Sequence, residues 1–158
     1  MAKALGIVSF AGNHVRADGL RAYRPAGAFS FLGRYRIIDF PLSNMSNSGI
    51  DHVQVYIRRQ PRSLVEHLGS GRHYNINSKS GKLHLLFTEN NLGQDIYNTD
   101  IAAYLSNMEC IENAPQPYVV IAPSYMIYKQ NYDALLNAHI ESGADITLLY
   151  HSTDNAKE

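Results

Sequence analysis

The sequence predicts an α/β fold, a mainly parallel sheet with helices on both faces. Three observations carry this expectation. Short apolar runs without polar alternation, such as Ala4 to Phe10 and Tyr118 to Ala122, read as strands buried on both sides. Between such runs lie segments with apolar residues at three- and four-residue spacing, closed by glycines, which read as helices. The two kinds alternate along the chain, the order that a parallel sheet with crossover helices requires. At 158 residues the chain is one domain's worth, and 45% hydrophobic residues supply a core.

Each element has its own signal. Ala4 to Phe10 is the first strand, bounded by Ala11-Gly12-Asn13. From Ala11 to Leu32 no period is sustained, and a stretch of that length inside a compact domain reads as a functional or mobile loop. Gly33 to Ile50 holds a helix with both ends marked. Asp39 is placed to cap it, Pro41 falls in the first turn, Ile38, Leu42 and Met45 form one face, and Gly49 supplies the left-handed stop. His52 to Ile57 is the second strand. Pro61 to Gly69 is a short helix with proline at its start and glycine at its end, and Ser70 to Lys82 a loop or small hairpin. Leu83 to Phe87 is the third strand.

Asp95 to Ile111 reads as one helix covering the sheet with Ile96, Ile101, Tyr104, Leu105 and Met108, ended by Pro115 and Pro117. Tyr118 to Ala122 is the next buried strand. Asn131 to Ser142, carrying Leu135, Leu136 and Ile140, is a helix stopped at Gly143. Ile146 to Tyr150 is expected as a last strand, and with only the polar tail Ser152 to Glu158 behind it the chain reads as cut rather than finished.

Composition narrows the function classes. Fourteen basic residues balance fourteen acidic ones, so no net field calls for a nucleic acid or a membrane surface. No apolar stretch approaches the roughly 20 residues that span a bilayer. The single Cys110 excludes an internal disulfide and reads as a small core residue, and Met1 to Phe10 lacks the pattern of a leader, so a cytoplasmic protein is expected. His67 and His139 have no metal-ligand spacing and read as buried, hydrogen-bonded histidines. Arg34 and Arg36 read as pairing with carboxylates of their own fold, and Arg58, Arg59 and Arg62 as a solvated basic face.

In an open parallel sheet, ligands gather beyond the carboxyl ends of the strands. Here those places are the turn after Phe10 and the turn after Ala122. No Asp or Glu follows Ala122 at that strand end.

The run Gly33-Arg34-Tyr35-Arg36-Ile37-Ile38-Asp39-Phe40-Pro41-Leu42-Ser43-Asn44, continued by Asn47-Ser48-Gly49-Ile50, resembles the signature of bacterial glucose-1-phosphate adenylyltransferases. Ser63, Leu64, His67 and Leu68, and the stretch Ala138 to Thr147, resemble further parts of that family. The resemblance implies a Rossmann-like fold of the nucleotide-diphospho-sugar transferase type, truncated: residues 1–158 would be its amino-terminal part, without the family's carboxyl-terminal β-helix. It also implies a chemistry, transfer of an adenylyl group from ATP to glucose 1-phosphate with release of pyrophosphate. Backbone N–H groups, an arginine, a lysine and a magnesium ion on an aspartate would steady the charge.

Aligned without gaps, this chain departs from that machinery. Ala11, Gly12, Asn13 and His14 fall on the family's glycine-rich cradle, and His14 brings a side chain where bare backbone is needed. Arg16 falls on its arginine, Ala26 on its lysine, and Gly93 answers a glycine near the adenine. Ser124 and Tyr125 lie opposite its Gly-Asp, so a neutral phenol replaces the carboxylate that would hold magnesium. No catalytic residue, metal site or cofactor is therefore expected. The pattern resembles the GlgD-type, non-catalytic subunits of the family, which implies a regulatory subunit in bacterial glycogen synthesis. Its partner would be a catalytic homologous subunit in a hetero-oligomer, with a nucleotide or sugar phosphate as effector. The alternatives are an active sugar-1-phosphate nucleotidyltransferase and a stand-alone nucleotide-binding module.

Overall fold

The computed structural model describes residues 4–10, 25–57, 61–76, 81–87 and 100–152. Its centre is a four-stranded parallel sheet of β1 (Ala4–Ser9), β4 (His52–Ile57), β5 (Lys82–Phe87) and β6 (Tyr118–Pro123), in the order β5-β4-β1-β6. A two-stranded hairpin, β2 (Ser30–Phe31) with β3 (Tyr35–Arg36), stands apart from it. The helices are α1 (Asp39–Asn47), α2 (Arg62–Leu68), α3 (Asp100–Ser106), α4 (Met108–Glu112) and α5 (Tyr132–Ser142).

Successive residues of a strand point to opposite faces, so each strand feeds two cores. On one face Ala4 and Val8 of β1 and Val53, Val55 and Ile57 of β4 pack with Ile38, Leu42 and Met45 of the α1 region, Leu64 and Leu68 of α2, and Tyr132 and Leu136 of α5. On the other, Leu5, Ile7 and Tyr56 meet Ala103 and Tyr104 of α3 and Ile111 of α4. The expected two-sided α/β sheet is the one observed. Gly6 lies where β1 and α1 come closest: a Cβ there would stand 2.7 Å from Met45 Sδ and 3.1 Å from Ile50 Cγ2.

The helix stops expected from the sequence hold. Gly49 and Gly143 close α1 and α5 with left-handed φ of 75° and 63°. The start of α1 differs: Ile38 occupies the cap position and Asp39 is the first helical residue, its carboxylate turned into the core. Three donors there compete successfully with the helix end, as described below.

Other expectations are corrected. The segment read as one helix from Asp95 is, from Asp100 onward, two helices broken at Asn107, whose side chain donates to Ala103 O at 3.0 Å. Only Ala103 and Tyr104 of its first half meet the sheet, while Ile101 and Leu105 are exposed; Ile96 lies outside the described residues. Cys110 is exposed rather than in the core. Strand β6 is buried on one face only, since Val119 and Ile121 on the other are open. Ile146 to Tyr150 forms no strand: a strand is stabilised by the neighbour it pairs with, and among the described residues this segment has none. The loop expected as far as Leu32 contains, in its described part, a 3₁₀ turn at Ala26–Ala28 and β2.

Candidate functional site

The strand order locates the site. The chain adds β4 and then β5 on one side of β1 and returns to place β6 on the other, so the sheet's direction of growth reverses between β1 and β6. The crevice at the carboxyl ends of these two strands is the place where such sheets take ligands. Ser124 N–H donates to Ser9 O at 2.9 Å across that end and holds the two strand exits together.

A third segment closes on the same point. Gly27, in the 3₁₀ turn, lies so close that a Cβ would stand 3.2 Å from Ser124 O, 3.4 Å from Ile38 Cβ and 3.4 Å from Phe10 Cε1. The turn is held to the start of α1 by Ile38 N–H to Gly27 O at 3.0 Å and Ile37 N–H to Phe29 O at 3.1 Å. Of the candidate positions, the structure thus brings the turn of Ala26 together with Ser124 and its neighbour Tyr125. Ala11, Gly12, Asn13, His14, Arg16 and Gly93 lie outside the described residues, as do Arg58 and Arg59.

Ser124 is buried, and among the described residues its Oγ has no hydrogen-bond partner. Tyr125 is half-buried beside it. The following loop is tied down by α1. Asn44 Nδ2 donates to Tyr128 O at 2.9 Å, and Ser48 Oγ accepts from Tyr132 N–H at 2.9 Å while donating to Asn44 O at 2.7 Å. Tyr128 and Tyr132 share a hydrogen bond between their hydroxyls at 2.6 Å, and burial raises the pKa of both phenols. Asn44 and Ser48 are therefore site-positioning residues that sequence reasoning placed only within a helix. Asn44 is buried although it stands off the stripe of Leu42 and Met45, so the helical spacing that marked those two gave no signal for it.

Magnesium takes oxygen ligands, carboxylates foremost. Next to β6 stand a serine hydroxyl and a phenol, and among the described residues no three His, Cys, Asp or Glu side chains are grouped to hold a metal ion. These residues do not fit magnesium. Nor does Ala26 offer a cation to a phosphate.

Behind the crevice, Asp39 organises a buried polar cluster. Its carboxylate accepts from Arg36 N–H at 2.8 Å, Tyr74 OH at 2.6 Å and His67 Nε2 at 2.6 Å. Burial, then the bond to Asp39, raises the Tyr74 pKa and keeps it a donor. The Arg36 guanidinium donates to Ser63 O instead of a carboxylate, and Arg34 lies over the Tyr35 ring, 5.6 Å from its centroid. His67 is half-buried and bonded, while His139 is half-buried, with Nδ1 2.8 Å from Thr147 Oγ1 and its ring edge-on to Tyr118. Arg62 is exposed and pairs with Glu66 at 2.9 Å, one turn further along α2.

Comparison with known proteins bears on what this crevice does. The nucleotidyl transferase family matches residues 11–158. The chain is 38% identical over 157 residues to the glycogen biosynthesis protein GlgD of Geobacillus stearothermophilus, an alignment covering 94% of this chain and 44% of that protein. It is 40% identical over 127 residues to the glucose-1-phosphate adenylyltransferase of Fusobacterium nucleatum, covering 79% and 33% respectively. The chain thus spans less than half the length of these relatives. Among solved structures, a putative glucose-1-phosphate thymidylyltransferase from Bacillus anthracis, in complex with a sucrose, superposes with a TM-score of 0.64. That superposition covers 87% of this chain and 51% of the other at 14% identity, a likeness of fold alone.

Proposed function

Since the chain belongs to the nucleotidyl transferase family, we propose that it serves as a non-catalytic, regulatory subunit beside a glucose-1-phosphate adenylyltransferase in cytoplasmic glycogen synthesis. One observation carries the reading: the end of β6, at the sheet's reversal point, presents Ser124 and Tyr125 and no carboxylate. Transfer of a nucleotidyl group needs the negative charge of the departing pyrophosphate neutralised, and a cation held by a carboxylate is the usual means. A phenol at the same place is not the hard carboxylate ligand that such a cation takes. The similarity to GlgD of G. stearothermophilus supports the same reading, as does the intact framework that holds the crevice. With its chemistry gone, what such a scaffold has left to offer is a surface for a catalytic homologue and a pocket for a nucleotide or sugar phosphate.

The test is pyrophosphate release from ATP and glucose 1-phosphate. The protein alone should run at background with or without magnesium, and mixing it with a catalytic homologue should change that enzyme's kcat or KM and its elution volume. Turnover by the protein alone would favour the active nucleotidyltransferase and end the proposal. ATP binding with no effect on a catalytic homologue would favour the stand-alone nucleotide-binding module. Tyr125→Asp combined with Ala26→Lys measures how much of the machinery two residues restore.

A further inference from the structure

The hairpin of β2 and β3 stands apart from the main sheet and ends in a turn of Leu32, Gly33 and Arg34, all three exposed. Two successive residues of that turn have left-handed backbone, Leu32 at φ 52° and Gly33 at φ 71°. Glycine adopts such a φ freely, whereas a leucine does so at a cost, because its Cβ crowds the following carbonyl. Packing around the side chain normally offsets that strain. Leu32 is instead 83% exposed, so it also leaves apolar surface in water. Two unfavourable features meet at one residue, and neither is compensated within the hairpin.

Beside the tip lies an aromatic platform. Phe31 and Phe40 meet edge to face with centroids 5.3 Å apart, and Tyr35 is tilted against Phe40 at 6.4 Å while remaining 46% exposed. The Arg34 guanidinium flanks the Tyr35 ring. One surface thus carries a knob, Leu32, and next to it a seat of aromatic rings. A patch holding both halves of a contact is suited to meeting its own counterpart about a two-fold axis. Tyr35 and Phe40 belong to the run from Gly33 to Ile50 that resembles the adenylyltransferase signature, and Leu32 stands just before it. A catalytic homologue carrying that run presents the same seat.

We infer that the hairpin is an anchor by which this chain docks on a catalytic homologue, with Leu32 entering the seat formed by that subunit's counterparts of Tyr35 and Phe40. This docking presupposes the regulatory role proposed above and gives that role its surface. It also gives the role a route. The hairpin is bonded to the 3₁₀ turn at the crevice through Ile37 N–H to Phe29 O and Ile38 N–H to Gly27 O. In a homologue whose lysine occupies the place of Ala26, a contact on the same hairpin reaches that lysine through the same turn.

Calorimetric titration of the intact chain against the glucose-1-phosphate adenylyltransferase of the same cell tests this, with that enzyme's kcat and KM followed in parallel. Leu32→Gly relieves the backbone and removes the knob in one step. It should leave the chain's thermal midpoint nearly unchanged, strain relief offsetting the freedom that glycine gains when unfolded, and should weaken binding at least tenfold, as loss of an anchor residue does. Replacing the partner's counterpart of Tyr35 by alanine should weaken binding too, and the two substitutions together should cost less than the sum of their separate losses. Unchanged affinity in Leu32→Gly, or strictly additive losses, would overturn the docking while leaving the regulatory role in place. A midpoint lowered by more than about 4 °C would assign Leu32 to its own fold. A variant that loses self-association but still binds the adenylyltransferase would make a second copy of this chain the occupant; either result overturns the docking. If the wild-type chain does not bind the adenylyltransferase, the regulatory role fails and the docking with it.

Discussion

A carboxylate with only 9% of its residue surface exposed needs donors around it, and Asp39 has three: the Arg36 amide, the Tyr74 hydroxyl and His67 Nε2. These come from the hairpin, from the 3₁₀ turn at Arg72–Tyr74 and from α2, so one side chain joins segments that the chain keeps up to 35 residues apart. Asp39→Ala leaves those donors facing a void, and stranding buried partners of a charged group costs about 3–5 kcal/mol. In chemical denaturation the variant should lose stability of that order, and Asp39→Asn, which keeps one acceptor, should lose less. A loss below about 1 kcal/mol for Asp39→Ala would show that water reaches the cluster and replaces the carboxylate.

Among the elements, α5 is held at its start by Asn131, whose Oδ1 accepts from Asp133 N–H at 3.0 Å and Ala134 N–H at 3.2 Å. Asn131→Ala should cost about 1 kcal/mol, the usual value of such a cap, seen as a lower thermal midpoint. Because α5 follows the loop that carries Tyr125, an unchanged midpoint would mean that α5 draws its start from Tyr132 and Ser48 instead. Features of this kind were legible in the sequence, since caps, glycine stops and three-to-four spacing are local. The crevice was legible too, because two apolar strands and a crossover place it. What depends on distant partners was not. Asn44 and Ser48 reach residues 84 positions away, and nothing near them in sequence announces it. Leu32 bends the hairpin at φ 52°, a conformation a leucine seldom takes and no turn signal marks. Asp39 sat where caps sit, and only the tertiary donors show why it turned inward.

At the largest scale, β6 is an edge of the sheet among the described residues, and an edge strand presents unpaired backbone groups to whatever comes near. Beside that edge the apolar exposure is heavy: Val119 and Ile121 on the strand, and Ile146, Leu148, Leu149 and Tyr150 further along. The second group stays near the first, because Thr147 is bonded to His139 and the His139 ring packs on Tyr118. An apolar face of this kind next to an open edge favours association. This 158-residue chain should therefore self-associate with rising concentration in light scattering and bind a hydrophobic dye. Ile121→Lys with Leu148→Lys should reduce both signals, while the thermal midpoint moves little, since exposed substitutions typically change stability by no more than about 0.5 kcal/mol. Unchanged association in the double variant would place the contact elsewhere, with other exposed apolar residues such as Leu32, Phe87, Ile101 and Leu105 next to substitute.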